Sequence, residues 1–256
     1  MRGCRSVVDW FSLSLAASLS VGPDRRVIFN RVQRSMGVAM REDLLRGVYT
    51  AERAAALSGV PVRTVYYWAS HEIWAPTLSD QRPKLWTYAD LLALRTIYWL
   101  RQEKPDVETS KSTMIEVRRT IRAVSKHGVT LTDVRVLVDR RGKVVFENAG
   151  HAWEAGDGEG SQMVASNVLN VLAPFPTEAG HIGPDLVAPR PNLRIIPGKL
   201  AGEPHVRWTR ISTQTVAALA SDGLSVAEII RLYPDLNAEV VAECIDLEAQ
   251  LLKNAA

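Results

Sequence analysis

Apolar positions recur at helical spacing on both sides of a short break in the segment Tyr49–Ser70. Ala51–Leu57 is alanine-rich and favours helix, and Thr50 before it can accept a hydrogen bond from an unpaired first-turn amide. Gly59 suits a left-handed turn position. Pro61 suits the start of the next helix, where a missing N–H costs nothing. In that second helix Val62, Val65 and Trp68 form the apolar side, while Arg63, Thr64, Tyr66 and Tyr67 are left to face outward. Two short helices about a tight turn, with a polar and cationic outer face on the second, predict a helix-turn-helix. An ordinary helical hairpin inside a core has the same pattern.

The pattern loses its helical period after Ser70. Pro76, Pro83 and a polar centre disfavour helix. A two-stranded wing is expected, with Ile73, Trp74 and Trp86 packing inward and Arg82 and Lys84 at the tip. Thr87 and Asp90 then resemble a capping box, and Leu91, Leu94, Ile97, Tyr98 and Arg101 continue a helix. Glu103–Ser112 reads as a connection. Lys111–Lys126 is amphipathic, with Met114, Val117, Ile121 and Val124 inward. Its Arg118, Arg119, Arg122 and Lys126 suit either a phosphate-facing surface or a solvated helix face, and we favour the second.

From Thr132 the period shifts to two. Val134, Val136 and Val138, the turn Arg140-Arg141-Gly142-Lys143, and Val144–Phe146 predict a β-hairpin. Gly150–Gly160 is expected to be a loop, and Gln162–Leu172 a helix or a strand. The stretch 176–197 carries five prolines and is expected to be an extended linker, with Leu193–Ile196 as a short strand. The last block returns to short helices: Ile211–Ser221 closed by Gly223, a second helix opened by the capping box Ser225/Glu228, and a third opened by Asn237. Ile229, Ile230 and Leu232 are expected to face inward, as are Val240, Val241, Cys244, Leu247 and Leu251.

Charge changes this picture more than composition does. Residues 1–150 hold 24 Lys and Arg against 15 Asp and Glu, while residues 151–256 hold 7 against 13. The front half is therefore at +9 and the back half at −6, within a total of +3. A basic half suits a polyanion such as DNA, and an acidic half suits a different partner. Two cysteines, Cys4 and Cys244, and five scattered histidines give neither a disulfide framework nor a metal site, which fits a reducing cytoplasm. No apolar run approaches a membrane span.

Residues 1–39 fit poorly with the rest of the chain. They suit a disordered basic arm or a gene-model extension ahead of a start at Met36 or Met40, more than a signal peptide. No catalytic constellation stands out. Glu239, Glu243, Asp246 and Glu248 are read as an exposed acidic helix face rather than a metal site, and the seven tryptophans as core anchors rather than stacking platforms.

Two resemblances rest on particular motifs. Tyr49–Arg101 resembles the MerR-type winged helix, through Gly59-Val60, Arg63-Thr64 and Tyr67, then Lys84-Leu85-Trp86-Thr87 and Asp90-Leu91. Lys84 stands where that family usually has Arg, Trp86 where it has Tyr, and Pro61 where a Ser cap is common. The long dimerisation coiled coil of those regulators is missing. By that likeness Arg63, Tyr66, Tyr67 and Lys84 contact DNA; Thr64, outward on the same helix, and Arg82, at the wing tip, join them as DNA-binding candidates from the pattern itself. The second likeness lies in Gly202-Glu-Pro-His-Val-Arg-Trp-Thr-Arg-Ile211, Leu219-Ala-Ser-Asp-Gly-Leu-Ser225 and Ile229-Ile-Arg-Leu-Tyr-Pro-Asp-Leu236. It is similar to a small domain of VapB-like antitoxins, encoded beside PIN-type ribonuclease toxins. Trp208 stands where Gly is frequent.

These readings give a mainly α fold with small β elements, of α+β class. The expected parts are an arm or extension at 1–39, a MerR-like winged helix-turn-helix at 40–104, a helix and β-hairpin at 105–175, a linker at 176–197 and a trihelical, helix-turn-helix-like domain at 198–256. The resemblances imply a cytoplasmic antitoxin, not an enzyme, without metal or cofactor. It would bind operator DNA and a PIN-domain toxin, as a homodimer or a larger toxin–antitoxin assembly. Arg207, Trp208 and Arg210 are the candidate toxin contacts, and Arg210 equally suits fastening its loop to the helical core. The alternative is a stand-alone MerR-like regulator whose C-terminal half binds a small ligand or a protein.

Overall fold

The structure is a computed structural model. It describes residues 46–103, 111–126, 135–138, 144–148, 151–154, 167–168, 170–177 and 180–255. The chain divides into Met1–Glu42 and a compact unit Asp43–Ala256, and the described residues all lie in the second. The arm expected at 1–39 falls outside them.

The fold is mainly helical with small sheets, an α+β arrangement. Helix α1 (Ala51–Ser58) begins where Thr50 Oγ1 accepts from Arg53 N at 3.3 Å and ends at Gly59, whose φ of 73° is left-handed. Helix α2 (Val62–Ser70) follows with Pro61 at the cap position, one residue outside the first turn. Helix α3 (Tyr88–Arg101) opens on a full capping box: Thr87 Oγ1 accepts from Asp90 N, and Asp90 Oδ2 accepts from Thr87 N at 2.8 Å. Leu91, Leu94, Ile97 and Leu100 bury its inner face. The wing between α2 and α3 is smaller than expected. It closes on one antiparallel bridge, Ser79 with Leu85, and Trp86 bridges to Tyr49. Its prolines remove donors that a longer ladder needs.

Helix α4 (Met114–Lys126) buries Val117 and Val124. The expected hairpin is part of a four-stranded antiparallel sheet of order β3-β2-β1-β4, where β1 is Arg135–Val138, β2 Val144–Asn148, β3 His151–Glu154 and β4 Asn167–Val168. Strand β3 corrects the loop expected over Gly150–Gly160. The open edge of β2 accepts a further ladder, pairing Val145 with Glu154 and Asn148 with His151. The glycines and acids past Glu154 hid that strand. Strand β4 decides for Asn167–Val168 between the helix and the strand expected there.

Residues 180–197, within the expected linker, pack on the unit with some side chains inward, while Ile182, Val187 and Ile196 stay exposed. Leu186, Leu193 and Ile195 are buried. Short strands β5 (Phe175–Pro176) and β6 (Ile182–Gly183) pair, as do β7 (Leu193–Arg194) and β8 (His205–Val206). The C-terminal helices are α5 (Thr213–Ser221), α6 (Val226–Leu232) and α7 (Ala238–Ala255). Gly223 has φ 93° just past α5, Ser225 and Glu228 form their capping box, and Asn237 Oδ1 accepts from Val240 N at 2.9 Å. Leu232 corrects its expected inward position. It is 58% exposed because α6 ends there and only Ile229 of that helix is fully packed.

Helix α1 is the element around which the unit packs. It lies against α2, α3 and α7. At its C-terminal end the wholly buried Arg95 of α3 donates to the carbonyls of Leu57 and Ser58, and also to those of Val171, Ala173 and Pro184, at 2.6 to 3.3 Å. Burial lowers the Arg95 pKa to about 9, so the cation persists at neutral pH. On its other side Arg53 makes a two-point pair with Glu248 of α7 at 2.8 and 2.9 Å and reaches Glu203 with Nε at 2.8 Å. Burial alone disfavours the Arg53 charge, yet the two carboxylates raise its pKa above the ordinary value. Replacing Arg95 with Met keeps an unbranched apolar stem but leaves five carbonyls, three of them in buried bonds, without their donor. Arg95→Met is expected to lower unfolding free energy by about 3–5 kcal/mol, read as a shifted guanidinium midpoint.

Candidate functional site

The outward face of α2 is the first candidate. Val65, Trp68 and Ala69 are buried beneath the helix, so the three-four spacing leaves Arg63, Tyr66, Tyr67 and Ser70 exposed in one row. Ser70 was missed from the sequence, although it lies seven residues from Arg63 on the same row. Thr64 is half-buried at the edge of this face. Arg63 carries no hydrogen bond or ion pair among the described residues. Tyr66 Oη donates to Glu52 of α1 at 2.9 Å, which raises the phenol pKa and fixes the ring. The Glu52 carboxyl is held below its usual value, first by a backbone hydrogen bond and then by Tyr66. Tyr67 stacks on His71 with ring centroids 4.0 Å apart. Both tyrosines therefore stand out from the surface in braced positions, 46% and 52% exposed.

Two other segments carry cations. In the wing, Lys84 Nζ donates to the Asp80 carboxylate and to the Asp80 carbonyl at 3.1 Å, which ties it across the tip. Arg82 is exposed beside it. Arg118 of α4 donates to the carbonyl of His71 at 3.2 Å, so α4 stands beside the C-terminus of α2. Arg118, Arg119, Arg122 and Lys126 are all exposed, and Arg119 pairs with Glu116 at 3.8 Å. The structure brings Arg63, Thr64, Tyr66 and Tyr67 together on one helix and places Arg82 and Lys84 on the wing.

The second candidate is the turn after β8. Val206 N donates to Ile211 O at 2.9 Å, and Thr209 closes the turn on Val206 O through both its N–H and its hydroxyl. Trp208 sits at its apex with φ 66° and is 74% exposed. Arg207 lies over the indole, 4.8 Å from its centroid. Arg207 N donates to Asn192 O at 2.8 Å, and Asn192 is held in turn by Glu243 of α7. Arg210 is exposed and makes no hydrogen bond among the described residues. Fastening falls instead to Thr213, whose hydroxyl reaches Pro204 O and the Glu248 carboxylate. Arg194 and Lys199 stand near. Burial lowers both their pKa values, with Arg207 adding repulsion at the first and Arg210 at the second. Arg207, against the exposed indole, thus repels Arg194, and Arg210 repels Lys199, in a half of the chain that is otherwise acidic.

The motif glycine at 202 has a physical reason. Its φ is 84°, and a Cβ there would lie 2.0 Å from Tyr49 Oη, which donates to Gly202 O at 2.8 Å. Buried His205 donates from Nδ1 to Glu203 O at 3.0 Å, and burial keeps its pKa low. The four acids of α7 are not one solvent-facing row. Glu248 binds Arg53, Glu243 binds Asn192, and Asp246 binds Arg190 at 2.6 Å. Among the described residues no group of three or more His, Cys, Asp or Glu is placed to hold a metal ion. Burial pushes the Cys244 thiol up to about 12, which makes it inert at neutral pH. Trp68 and Trp86 are core anchors as expected, and among the described residues Trp208 departs from that expectation. An open groove of about 440 Å³ lies beside the end of α7, lined by Pro174, Ile182, Pro184, Arg190, Gln250 and Asn254.

Residues 194–246 match a family model described as a protein of unknown function, DUF433. The match runs from β7 through the Trp208 turn, α5 and α6 into the middle of α7. No curated protein and no solved structure matches the chain. Among the described residues no helix is long and apolar enough to cross a membrane.

Trp208 takes a left-handed conformation that costs a bulky residue roughly 1–2 kcal/mol, and its exposed ring recovers little of that by packing. Trp208→Gly is therefore expected to stabilise the isolated chain by about 1 kcal/mol, measured by thermal or denaturant unfolding. An unchanged or lower stability would mean that the indole contributes to the fold.

Proposed function

We propose that the protein is a DNA-binding antitoxin. In this reading α1, α2 and the wing form a MerR-like winged helix-turn-helix, α2 enters the major groove of an operator, and the wing and neighbouring cations contact phosphates. The observation that carries it is the row Arg63, Tyr66, Tyr67 and Ser70, exposed above a fully packed base. Arg63 can reach a guanine edge or a phosphate, and the braced tyrosines supply rigid polar contacts. The C-terminal block binds a PIN-type ribonuclease in the cytoplasm. The exposed Arg207–Trp208–Arg210 turn supports this, since cations and an aromatic ring suit a surface built from acidic residues. The protein performs no catalysis in this reading, and it needs no cofactor. The rival, a stand-alone regulator, draws on the groove beside α7 for a small ligand.

Operator binding is tested on the promoter of the chain's own transcription unit by titration at several salt concentrations. Arg63→Ala is expected to weaken binding about tenfold, and if its contact is a phosphate, to reduce the log–log salt slope by about 0.9. Unchanged affinity and slope would remove α2 from the interface. Co-expression with the product of the adjacent gene separates antitoxin from regulator. Growth arrest by the neighbour alone, relieved by this chain and less so by its Arg207→Glu/Arg210→Glu form, is expected. A neighbour that is harmless, or equally toxic beside this chain, would exclude the antitoxin reading.

A further inference from the structure

Helix α7 has two apolar faces. The inner one, Val240, Val241, Cys244, Leu247 and Leu251, is buried in the unit. The outer one is Ala238, Ala242, Ile245, Ala249 and Leu252, and all five are exposed, with Ile245 at 37% and Leu252 at 74%. Their intervals alternate between four and three residues, the spacing of a helix seam that packs on another helix. One flank carries Glu239, Asp246 and Lys253 at seven-residue intervals, all exposed. Among the described residues nothing covers this seam.

We infer that α7 pairs through this seam with α7 of a second copy, running antiparallel about a two-fold axis. The sequence of the seam is self-complementary in that direction. With the axis near Leu247, Ala242 faces the partner's Leu252 and Ile245 faces the partner's Ala249, so every layer sets a small side chain against a large one. The alanines let the helices approach closely. The contact from Ala242 to Leu252 is about 15 Å long at 1.5 Å per residue. Charge selects the same direction. Antiparallel pairing sets the two copies of this flank side by side and brings Lys253 toward the partner's Glu239, a contact that parallel pairing does not form because it sets each flank beside the partner's other flank. Asp246 meets its equivalent near the axis, but Arg190 already neutralises it through contacts of 2.6 and 2.9 Å. The helix is also ordered beforehand by its inner face, so pairing carries no helix-folding cost. This pairing does not depend on DNA binding or on a toxin, and it is measured without either.

The test is sedimentation equilibrium on the full chain, expected to show twice the 28.3 kDa chain mass. Leu252→Glu is expected to weaken the dimer at least tenfold while the melting curve stays cooperative, because the side chain is exposed. Glu239→Lys and Lys253→Glu should each weaken it, and their combination should restore it. If Leu252→Glu does not fold, this charge reversal decides alone. In a Cys4→Ser background, Ala242→Cys combined with Leu252→Cys should give a covalent dimer on oxidation, and Leu252→Cys alone should not. The two positions are too far apart on one helix to bridge within a chain. A one-chain mass at every concentration overturns the inference, as does a dimer indifferent to Leu252→Glu and to the charge reversal.

Discussion

The pair between Arg53 and Glu248 is the constraint on which the rest of the unit depends. It joins residues 195 positions apart and leaves both side chains largely out of water. Such a pair is tolerable only when every remaining valence is used. Here the guanidinium also reaches Glu203, and Glu248 also accepts from the Thr213 hydroxyl. Four elements meet in one polar cluster: α1, the turn before β8, the start of α5, and α7. A packed apolar contact of that size would tolerate sliding. A two-point charge pair fixes rotation as well as distance, so α1 and α7 have one register.

Arg95 does at the other end of α1 what Arg53 does along its side. Helices end with unpaired carbonyls and a partial negative charge. The end of α1 is buried, so water cannot satisfy it. A wholly buried guanidinium from α3 does so instead, and directs its other donors to Val171, Ala173 and Pro184. The proline-rich segment is thereby tied to the unit through its carbonyls. Tyr88 Oη donates to Leu186 O at 2.7 Å, and Gln250 and Asn254 both donate to Ile182 O, which completes the same strap. Segments with few backbone donors and many carbonyls suit a role as acceptors for buried side chains.

Local signals in the sequence were strong wherever the physics is local. The caps at Thr50, Thr87, Ser225 and Asn237 and the turn glycines at 59 and 223 act within a few residues, and each was readable. So was the outer row of α2, because one buried tryptophan fixes the helix phase. What could not be read depends on partners far along the chain. Arg53, Arg95, Glu243 and Glu248 look like ordinary surface charges until distant carbonyls and carboxylates are brought to them. Strand β3 needed the edge of β2 beside it, and 176–197 looked like a linker because its ladder bonds are few. Trp208 was marked only by standing where glycine is common, and its exposure follows from the turn that Thr209 closes.

The polar cluster also decides how the two candidate surfaces relate. Glu203 holds Arg53 and lies just ahead of β8 and the Trp208 turn. Arg53 lies on α1, whose Glu52 fixes Tyr66 on the outer row of α2. The path from the turn to the outer row of α2 therefore crosses two side-chain bonds and one helix. A flexible tether would let a head and a tail bind their partners independently, linked only by effective concentration. Here the tail is welded to the first helix of the head, through Tyr49 and Gly202 as well as through the charges. In the proposed reading, a protein bound at Trp208 would be carried at a fixed place relative to α2. Whether it cleared a DNA duplex or collided with it would then be a matter of rigid geometry, rather than of linker length.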